Sequence, residues 1–168
     1  MMDRAKKTLE MEDLSIDVEK FTGLVIFSID DWEFCVNFKE VLLILRGDEM
    51  KNVENIGEIL RHDDEPSIPE INLMNFCSFF GLKERNPKAN TRLLFVQGKE
   101  TVAGFFVDGI KEIITVDREF VRNKLEFISI QGTDYIKGLI KFENRTFLYP
   151  DYEKIIINSL NKKTAETV

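Results

Sequence analysis

The sequence predicts a mostly β protein of two small five-stranded barrels that share one hydrophobic core, with a short helix after each barrel. Two observations predict this class. Apolar runs that alternate with polar residues, and that are rich in β-branched and aromatic side chains, are separated by short turn signals. In addition, the order of a hairpin, a short connection and a third strand occurs twice, 69 residues apart.

The composition agrees with one folded domain. A chain of 168 residues corresponds to about one domain and can bury about 70% of its unfolded surface. Hydrophobic residues make up 43% of the chain and include 14 Phe, which excludes a disordered protein. The net charge of −7 repels phosphate backbones and anionic lipids, so nucleic acid and membrane surfaces are poor candidates for partners.

The cysteines and the apolar runs indicate a cytoplasmic protein. Cys35 and Cys77 form no CxxC pattern and lie in runs that resemble core, so neither a disulfide framework nor a zinc site is expected. The longest apolar run, 41–45, is far shorter than the roughly 18 residues that span a bilayer. No apolar signal segment follows the amino terminus. We therefore expect a soluble protein in a reducing compartment.

The first repeat begins after a charged lead-in segment, residues 1–20. Strands over 24–29 and 32–38 flank the turn signal Asp30-Asp31 and predict a hairpin. Residues 39–45 begin polar and become apolar, which predicts a short connection into a third strand. The domain itself is expected to cover residues 21–160.

The second repeat follows the same order. Its strands are predicted over 93–96 and 101–107, and the chain from 108 to 114 leads into the third strand. Without any gap, Val36 aligns with Phe105, Val41 with Ile110 and Ile44 with Ile113.

A further pair of segments completes each five-stranded unit. Residues 56–60 and 68–73 parallel residues 136–142 and 146–149, and short helices are predicted over 74–82 and 152–160. Residues 161–168 are a polar tail. Small five-stranded units close into barrels that hide their edges, and two units of this size need a common core.

The one histidine, His62, limits any catalytic interpretation. The run from His62 to Glu65 offers an imidazole and three carboxylates, but consecutive side chains in a turn point in different directions and do not converge on a metal. A solvated hairpin tip explains this run. The alternative is a small-ligand-binding or hydrolytic barrel that uses His62 with Asp63 or Glu65. A third interpretation, an oligonucleotide-binding barrel, requires a basic face, which the net charge disfavours.

Three segments resemble a known family. Residues 23–45, 91–116 and 135–160 are similar to the CheW-like coupling domain of bacterial chemotaxis systems. The most specific stretch is VAGFFVDGIKEII over 102–114, and the closing segment has YIKGL over 135–139 followed by LYPDYEKII over 148–156. The order of these motifs carries the resemblance.

The resemblance implies a fold and a function. The fold is two SH3-like five-stranded barrels around a common core, in agreement with the repeat. The function is that of a non-enzymatic adaptor, with no catalytic residue, cofactor or metal. Its partners are the regulatory domain of a CheA-type histidine kinase and the cytoplasmic tip of chemoreceptors, the methyl-accepting chemotaxis proteins. Neither nucleic acid binding nor membrane insertion is implied.

The resemblance also implies two contact sites. Four residues are expected near a receptor groove, where glycine allows a helix to approach closely: Val41, Arg61, Val102 and Gly104. Three residues are expected to contact the kinase: Val36, Phe38 and Ile59. Val36 and Phe38 are two positions apart and should share one face of their strand, so we expect both to be buried if one is, and for Phe38 and Ile59 the competing interpretation is ordinary core.

This sequence departs from the family pattern in its middle segment, residues 46–70. The connection over 46–56 is shorter than in relatives and has no proline, and His62 stands where a glycine is usual. Leu43 stands where relatives often have Glu. Because these positions lie in the region that the resemblance assigns to partner contact, we expect the partner surface to be unusual.

Overall fold

The computed structural model describes residues 21–52, 70–117, 121–122 and 131–167. Within these ranges ten strands form two sheets, and one α-helix follows them. The elements are β1 (Phe21–Ile29), β2 (Trp32–Asn37), β3 (Val41–Arg46), β4 (Ile71–Leu73), β5 (Arg92–Gln97), β6 (Val102–Val107), β7 (Gly109–Asp117), β8 (Val121–Arg122), β9 (Ile136–Phe142), β10 (Arg145–Pro150) and α1 (Tyr152–Thr167). The predicted mostly β class is confirmed. The lead-in segment 1–20, the strand predicted over 56–60 and the turn at His62 lie outside the described residues.

Both predicted hairpins are present. β1 and β2 pair antiparallel with Ile29 opposite Trp32, and Asp30 in their turn has a φ of 54°, a left-handed conformation that Asp adopts more readily than most residues. β5 and β6 form the second hairpin, with Gln97 opposite Val102. Alternation along the chain was therefore sufficient to locate these strands.

The third strand of each repeat pairs with the first strand of the other repeat. In β3, Val41 lies opposite Val96 of β5, and in β7, Ile110 lies opposite Phe27 of β1. These two pairs are equivalent under the 69-residue offset of the sequence repeat. The sheet orders are β7-β1-β2-β10-β9-β8 and β3-β5-β6-β4, so each sheet combines strands from both halves of the chain.

The two exchanged strands also carry equivalent β-bulges. The register of β3 against β5 shifts between Val41 and Leu43, which leaves Leu42 as the extra residue. The register of β7 against β1 shifts so that Lys111 is the extra residue. Leu42 and Lys111 are 69 positions apart, so the repeat extends to this backbone irregularity.

Among the described residues, one large core joins the two sheets, as the length of the repeats predicts. It includes residues from both sheets, from the turn that follows β4 and from α1. Two smaller clusters belong to one sheet each. The fully buried aromatic side chains of the shared core are Phe27, Phe34, Phe76, Phe80 and Phe105.

The described strands do not form closed cylinders. Within the described residues, β7 and β8 end the six-stranded sheet, β3 and β4 end the four-stranded sheet, and neither sheet closes on itself. The larger sheet is nevertheless strongly curled. Arg145 of β10 donates hydrogen bonds to Glu33 of β2 and to Glu112 of β7, although β7 is three positions from β10 in the sheet order.

The helices differ from the prediction in type and length. The segment predicted as a helix over 74–82 is a 3₁₀ helix, Phe76–Phe80, and it ends at Gly81, whose φ of 68° glycine adopts without strain. α1 begins after Asp151, whose carboxylate accepts a hydrogen bond from the N–H of Lys154. It continues to Thr167, so most of the segment that the sequence indicated as a tail is helical.

An arginine holds the two halves together where the hairpin turn meets the start of β7. Arg85 donates hydrogen bonds to both carboxylate oxygens of Asp108, at 2.7 and 3.1 Å, and pairs with Asp30. Burial by itself would raise the pKa of the Asp108 carboxyl. Hydrogen bonds from the Arg85 guanidinium and the Asp30 N–H outweigh burial and lower this pKa below its ordinary value.

We expect Arg85→Met to lower the free energy of unfolding by about 1–2 kcal/mol at neutral pH, because two partly exposed carboxylates lose their cation. The Asp108 pKa is lower in the folded state than its unfolded value of about 3.9, so this contribution is complete above about pH 4 and declines below it. Urea denaturation at several pH values should show the difference from wild type shrinking in acid. Arg46→Met, which removes an exposed pair with Asp48, is the control and should change nothing measurable. A deficit that is constant down to pH 2 would contradict the assignment.

Candidate docking surfaces

The structure describes five of the seven residues of the two expected contact sites, and it places them in different environments. Phe38 and Val41 reach the surface, whereas Val36, Val102 and Gly104 are buried. Ile59 and Arg61 lie outside the described residues.

The expectation that Val36 and Phe38 share a buried face is wrong. Val36 is fully buried opposite Val25, but 54% of Phe38 is exposed. The reason is that β2 ends at Asn37, whose side chain accepts a hydrogen bond from the N–H of Lys39 at 2.9 Å and begins a 3₁₀ turn over Phe38–Glu40. Alternation therefore stops one residue before Phe38. The competing interpretation of Phe38 as core is wrong for the same reason.

Phe38 belongs to an exposed apolar surface on the six-stranded sheet. A side chain at Gly23 would lie 3.4 Å from Cβ of Phe38, so the absence of one leaves room beside the ring. Ile113 of β7 lies opposite Val25, two residues along β1 from Gly23, and is 59% exposed. Phe38 and Ile113 therefore lie on opposite sides of β1, two residues apart along that strand. We call Phe38, Gly23 and Ile113 the Phe38 surface.

Charged side chains lie beside the Phe38 turn. The pKa of the Glu40 carboxyl is raised, mainly by burial, and Lys137 opposes this effect while Glu153 adds to it. The Lys137 ammonium also lies 4.9 Å from the ring centre of Tyr149. An exposed aromatic ring beside charged groups has the composition of a protein interface, which combines an apolar centre with a polar rim.

A second exposed apolar surface is the strand β3. Its first five residues are apolar, none of them is buried, and 36% of Ile44 is exposed. The sequence interpretation selected Val41 from this strand but not its neighbours. We call residues 41–45 the β3 surface, and its members are Val41, Leu42, Leu43, Ile44 and Leu45.

Val102 and Gly104 are both in β6 of the four-stranded sheet, and both are buried. Val102 is 2% exposed. A Cβ atom on Gly104 would lie 2.7 Å from the Phe95 ring and 2.9 Å from a methyl group of Leu73. The close approach at this glycine is therefore made by the chain's own side chains, whereas the sequence interpretation assigned that space to a partner helix.

Among the described residues, neither the cysteines nor the possible metal ligands form a reactive site. Cys35 and Cys77 are buried, and burial raises the pKa of both thiols, that of Cys77 to about 11. Among the described residues no group of three His, Cys, Asp or Glu side chains is placed to hold a metal ion. His62 and Asp63, on which the enzymatic alternative depends, lie outside these residues.

The helices of the described ranges are α1 and several short 3₁₀ helices. None of them combines the length and the apolar character that crossing a bilayer requires.

Comparison with known proteins decides the family. The sequence model of the CheW-like domain matches residues 23–159, which is most of the chain. The chain belongs to the CheW-like domain family. The resemblance inferred from the sequence motifs is therefore confirmed, and both the Phe38 surface and the β3 surface lie within this CheW-like domain.

Two CheW proteins match this CheW-like chain over the same share of its length. It is 25% identical over 139 residues to a probable chemotaxis protein CheW of Rhizobium etli, across 79% of this chain and 85% of the relative. It is 20% identical over 132 residues to the chemotaxis protein CheW of Klebsiella aerogenes, across 79% of this chain and 80% of that protein.

A solved structure shows the same fold. The crystal structure of the scaffolding protein TtCheW from Thermoanaerobacter tengcongensis matches with a TM-score of 0.58 and 17% sequence identity. The match covers 77% of this chain and 88% of that chain.

Proposed function

We propose that this protein is a non-enzymatic adaptor that couples chemoreceptors to a CheA-type histidine kinase. The observation that carries the proposal is that a CheW-like domain exposes large apolar side chains on two separate surfaces. An exposed apolar patch on a soluble protein is typical of a docking site. The alternative of a ligand-binding or hydrolytic barrel at His62 and Asp63 is not favoured by the comparisons.

The Phe38 surface is the proposed contact for the kinase regulatory domain. A Phe side chain that is more than half exposed can bury a large area when a partner covers it. Val36 supports this surface from the core and makes no contact itself, because it is fully buried. Ile59 remains a proposed member of the same contact.

The β3 surface is the proposed contact for the receptor. Val41 begins this strand and is partly exposed, and Arg61 remains a proposed partner of receptor side chains. Val102 and Gly104 are buried in β6, so they contribute to receptor binding only indirectly, by shaping the sheet to which β3 belongs.

Coupling by such an adaptor requires no chemical step. A receptor conformation that binds the adaptor and kinase more tightly than another shifts the kinase equilibrium by that difference in affinity, and by no more. The cytoplasm is the proposed location, since the kinase regulatory domain and the receptor tip are found there and Cys35 and Cys77 form no disulfide.

We also propose that each sheet is the larger part of an SH3-like barrel. The contact between Arg145 and Glu112, across the curled six-stranded sheet, supports this description.

The test is a binding measurement with two partners from the same organism: the kinase regulatory domain and a receptor cytoplasmic fragment. We expect the wild-type chain to bind both, and Phe38→Glu to weaken kinase binding at least tenfold, because a carboxylate would be desolvated in an apolar contact. Receptor binding should stay within twofold of wild type. Isothermal titration calorimetry gives both affinities.

Ile157→Glu is the matched control, because Ile157 is 48% exposed on α1 and belongs to neither surface. It should leave both affinities unchanged. If Phe38→Glu binds the kinase regulatory domain as tightly as wild type does, the Phe38 surface is not the kinase contact. If the wild-type chain binds neither the kinase regulatory domain nor the receptor fragment, the adaptor function is excluded.

A further inference from the structure

The chain contains one Asp-Gly pair, Asp108–Gly109, and no Asn-Gly pair. Asp108 is the single residue between β6 and β7, so it belongs to neither strand. Its side chain is 36% exposed. Glycine has no Cβ, and one added to Gly109 would meet no atom of the described residues within 4 Å. The main-chain nitrogen of Gly109 is therefore little hindered by side chains.

An Asp-Gly pair isomerises without an enzyme. The Gly109 nitrogen bonds to Cγ of Asp108 and loses its proton, the carboxyl loses a hydroxyl group, and the two leave as water, so that a succinimide ring remains. Water then opens this ring. Opening at Cγ restores aspartate, whereas opening at the main-chain carbonyl of Asp108 gives isoaspartate, which lengthens the main chain by a methylene group. Water is the only co-reactant, and no atom is oxidised or reduced.

In the folded chain both carboxylate oxygens of Asp108 have hydrogen-bond donors. Oδ1 accepts from Nε of Arg85 at 2.7 Å, and Oδ2 accepts from the same guanidinium at 3.1 Å and from the N–H of Asp30 at 2.7 Å. We call Arg85, Asp30 and Asp108 the Arg85 clip. The Arg85 side chain is only 12% exposed and also donates to the carbonyl of Lys83, which fixes the guanidinium in place.

The Arg85 clip opposes succinimide formation in two ways. As Gly109 bonds to Cγ, the planar carboxylate becomes tetrahedral and turns toward the main chain, which breaks its bidentate pair with Arg85. In addition, a neutral carboxyl loses its hydroxyl group far more readily than a carboxylate does. Burial by itself favours the neutral form, but the hydrogen bonds from Arg85 and Asp30 outweigh burial and lower the Asp108 pKa. The reactive form is therefore scarcer in the folded chain.

We propose that Asp108–Gly109 is a site of spontaneous isomerisation, and that Arg85 is the residue that keeps Asp108 from forming a succinimide in the folded protein. The site matters to the fold because β7 begins at Gly109, which pairs with Ser28 of β1. The N–H of Asp108 donates to the carbonyl of Ser28 at 2.9 Å. An isoaspartate would displace both contacts, since it inserts a methylene group into the main chain between them.

The test measures isoaspartate at Asp108 after the full chain has been kept for weeks in warm neutral buffer. Electron-transfer mass spectrometry of the digested protein locates the modified residue. Wild-type protein unfolded in guanidinium chloride gives the unprotected rate, and we expect folded wild type to isomerise at least about tenfold more slowly. Arg85→Met should isomerise at least about fivefold faster than folded wild type, because its carboxylate is free to turn.

Two controls separate the Arg85 clip from general stability. Ile140→Ala removes packing at a fully buried position of β9 and leaves the clip intact. Arg46→Met makes the same substitution as Arg85→Met in an exposed ion pair with Asp48. Both should isomerise within twofold of folded wild type. Circular dichroism melting establishes that each variant is folded, and Ile140→Val replaces Ile140→Ala if the latter is not.

Three results would overturn the inference. If Arg85→Met isomerises within twofold of folded wild type, Arg85 does not protect Asp108. If the Ile140 variant isomerises as fast as Arg85→Met, overall stability and not the Arg85 clip provides the protection. If folded wild type isomerises as fast as the unfolded chain, or isoaspartate forms at other residues and not at Asp108, the proposed site is rejected. None of these results depends on whether the chain binds a kinase or a receptor.

Discussion

Replacement of Phe76 by alanine is expected to lower the free energy of unfolding by about 3–5 kcal/mol, a large part of the stability of a domain of this size. Phe76 is 1% exposed and stacks on Phe105 of the four-stranded sheet with ring centres 4.4 Å apart. It also lies 5.9 and 5.5 Å from Phe27 and Phe34 of the six-stranded sheet. Its removal leaves a cavity between the two sheets.

Urea denaturation followed by circular dichroism measures this loss. Phe38→Ala is the control for the same substitution at the surface, and because more than half of Phe38 is exposed it should cost less than about 1 kcal/mol. If Phe76→Ala and Phe38→Ala lower the free energy of unfolding by similar amounts, Phe76 does not join the two sheets through the shared core.

Replacement of Gly104 by valine is expected to destabilise the fold by about 2–3 kcal/mol through overpacking. The new Cβ would lie within 3 Å of both the buried Phe95 ring and Leu73, which flank Gly104 on neighbouring strands. One of these side chains must move, and because Phe95 is fully buried there is little space for it.

Gly109→Val is the matched control, because a Cβ on Gly109 meets no atom within 4 Å. Its effect on the unfolding free energy should stay within about 0.5 kcal/mol. Thermal melts of both variants give the comparison, and receptor binding by the folded fraction of Gly104→Val separates packing from recognition. A Gly104→Val protein that melts like wild type but no longer binds receptor would restore the original interpretation of Gly104 as a contact.

Both variants test features that the sequence predicted only in part. The repeat predicted a core common to both halves, and the structure confirms it. The pattern did not reveal that the third strands are exchanged, because alternation describes which residues of a strand share a face and not which strand lies beside it. The equivalent pairs of Val41 with Val96 and of Ile110 with Phe27 appear only in the folded chain.

The sequence also predicted the expected contact residues only in part. Val36 and Phe38 have the same position in an alternating pattern, yet one is buried and the other exposed, because the strand ends between them. Gly104 was selected as a place where a partner helix approaches, but the approaching groups are Phe95 and Leu73. Ile113 was not selected, although the repeat aligned it with Ile44, and both are exposed at edges.

By itself, the amino-acid order determined the class of the fold, the positions of the hairpins and the family. These follow from local periodicity and from motif order, which are properties of neighbouring residues. Only the tertiary structure decided which apolar side chains remain at the surface, since exposure depends on elements distant in the chain that cover a residue or leave it uncovered. Ile44 and Ile113 are exposed for that reason, whereas Phe38 is exposed because β2 ends at Asn37. All three lie on the two surfaces through which we expect this adaptor to bind its partners.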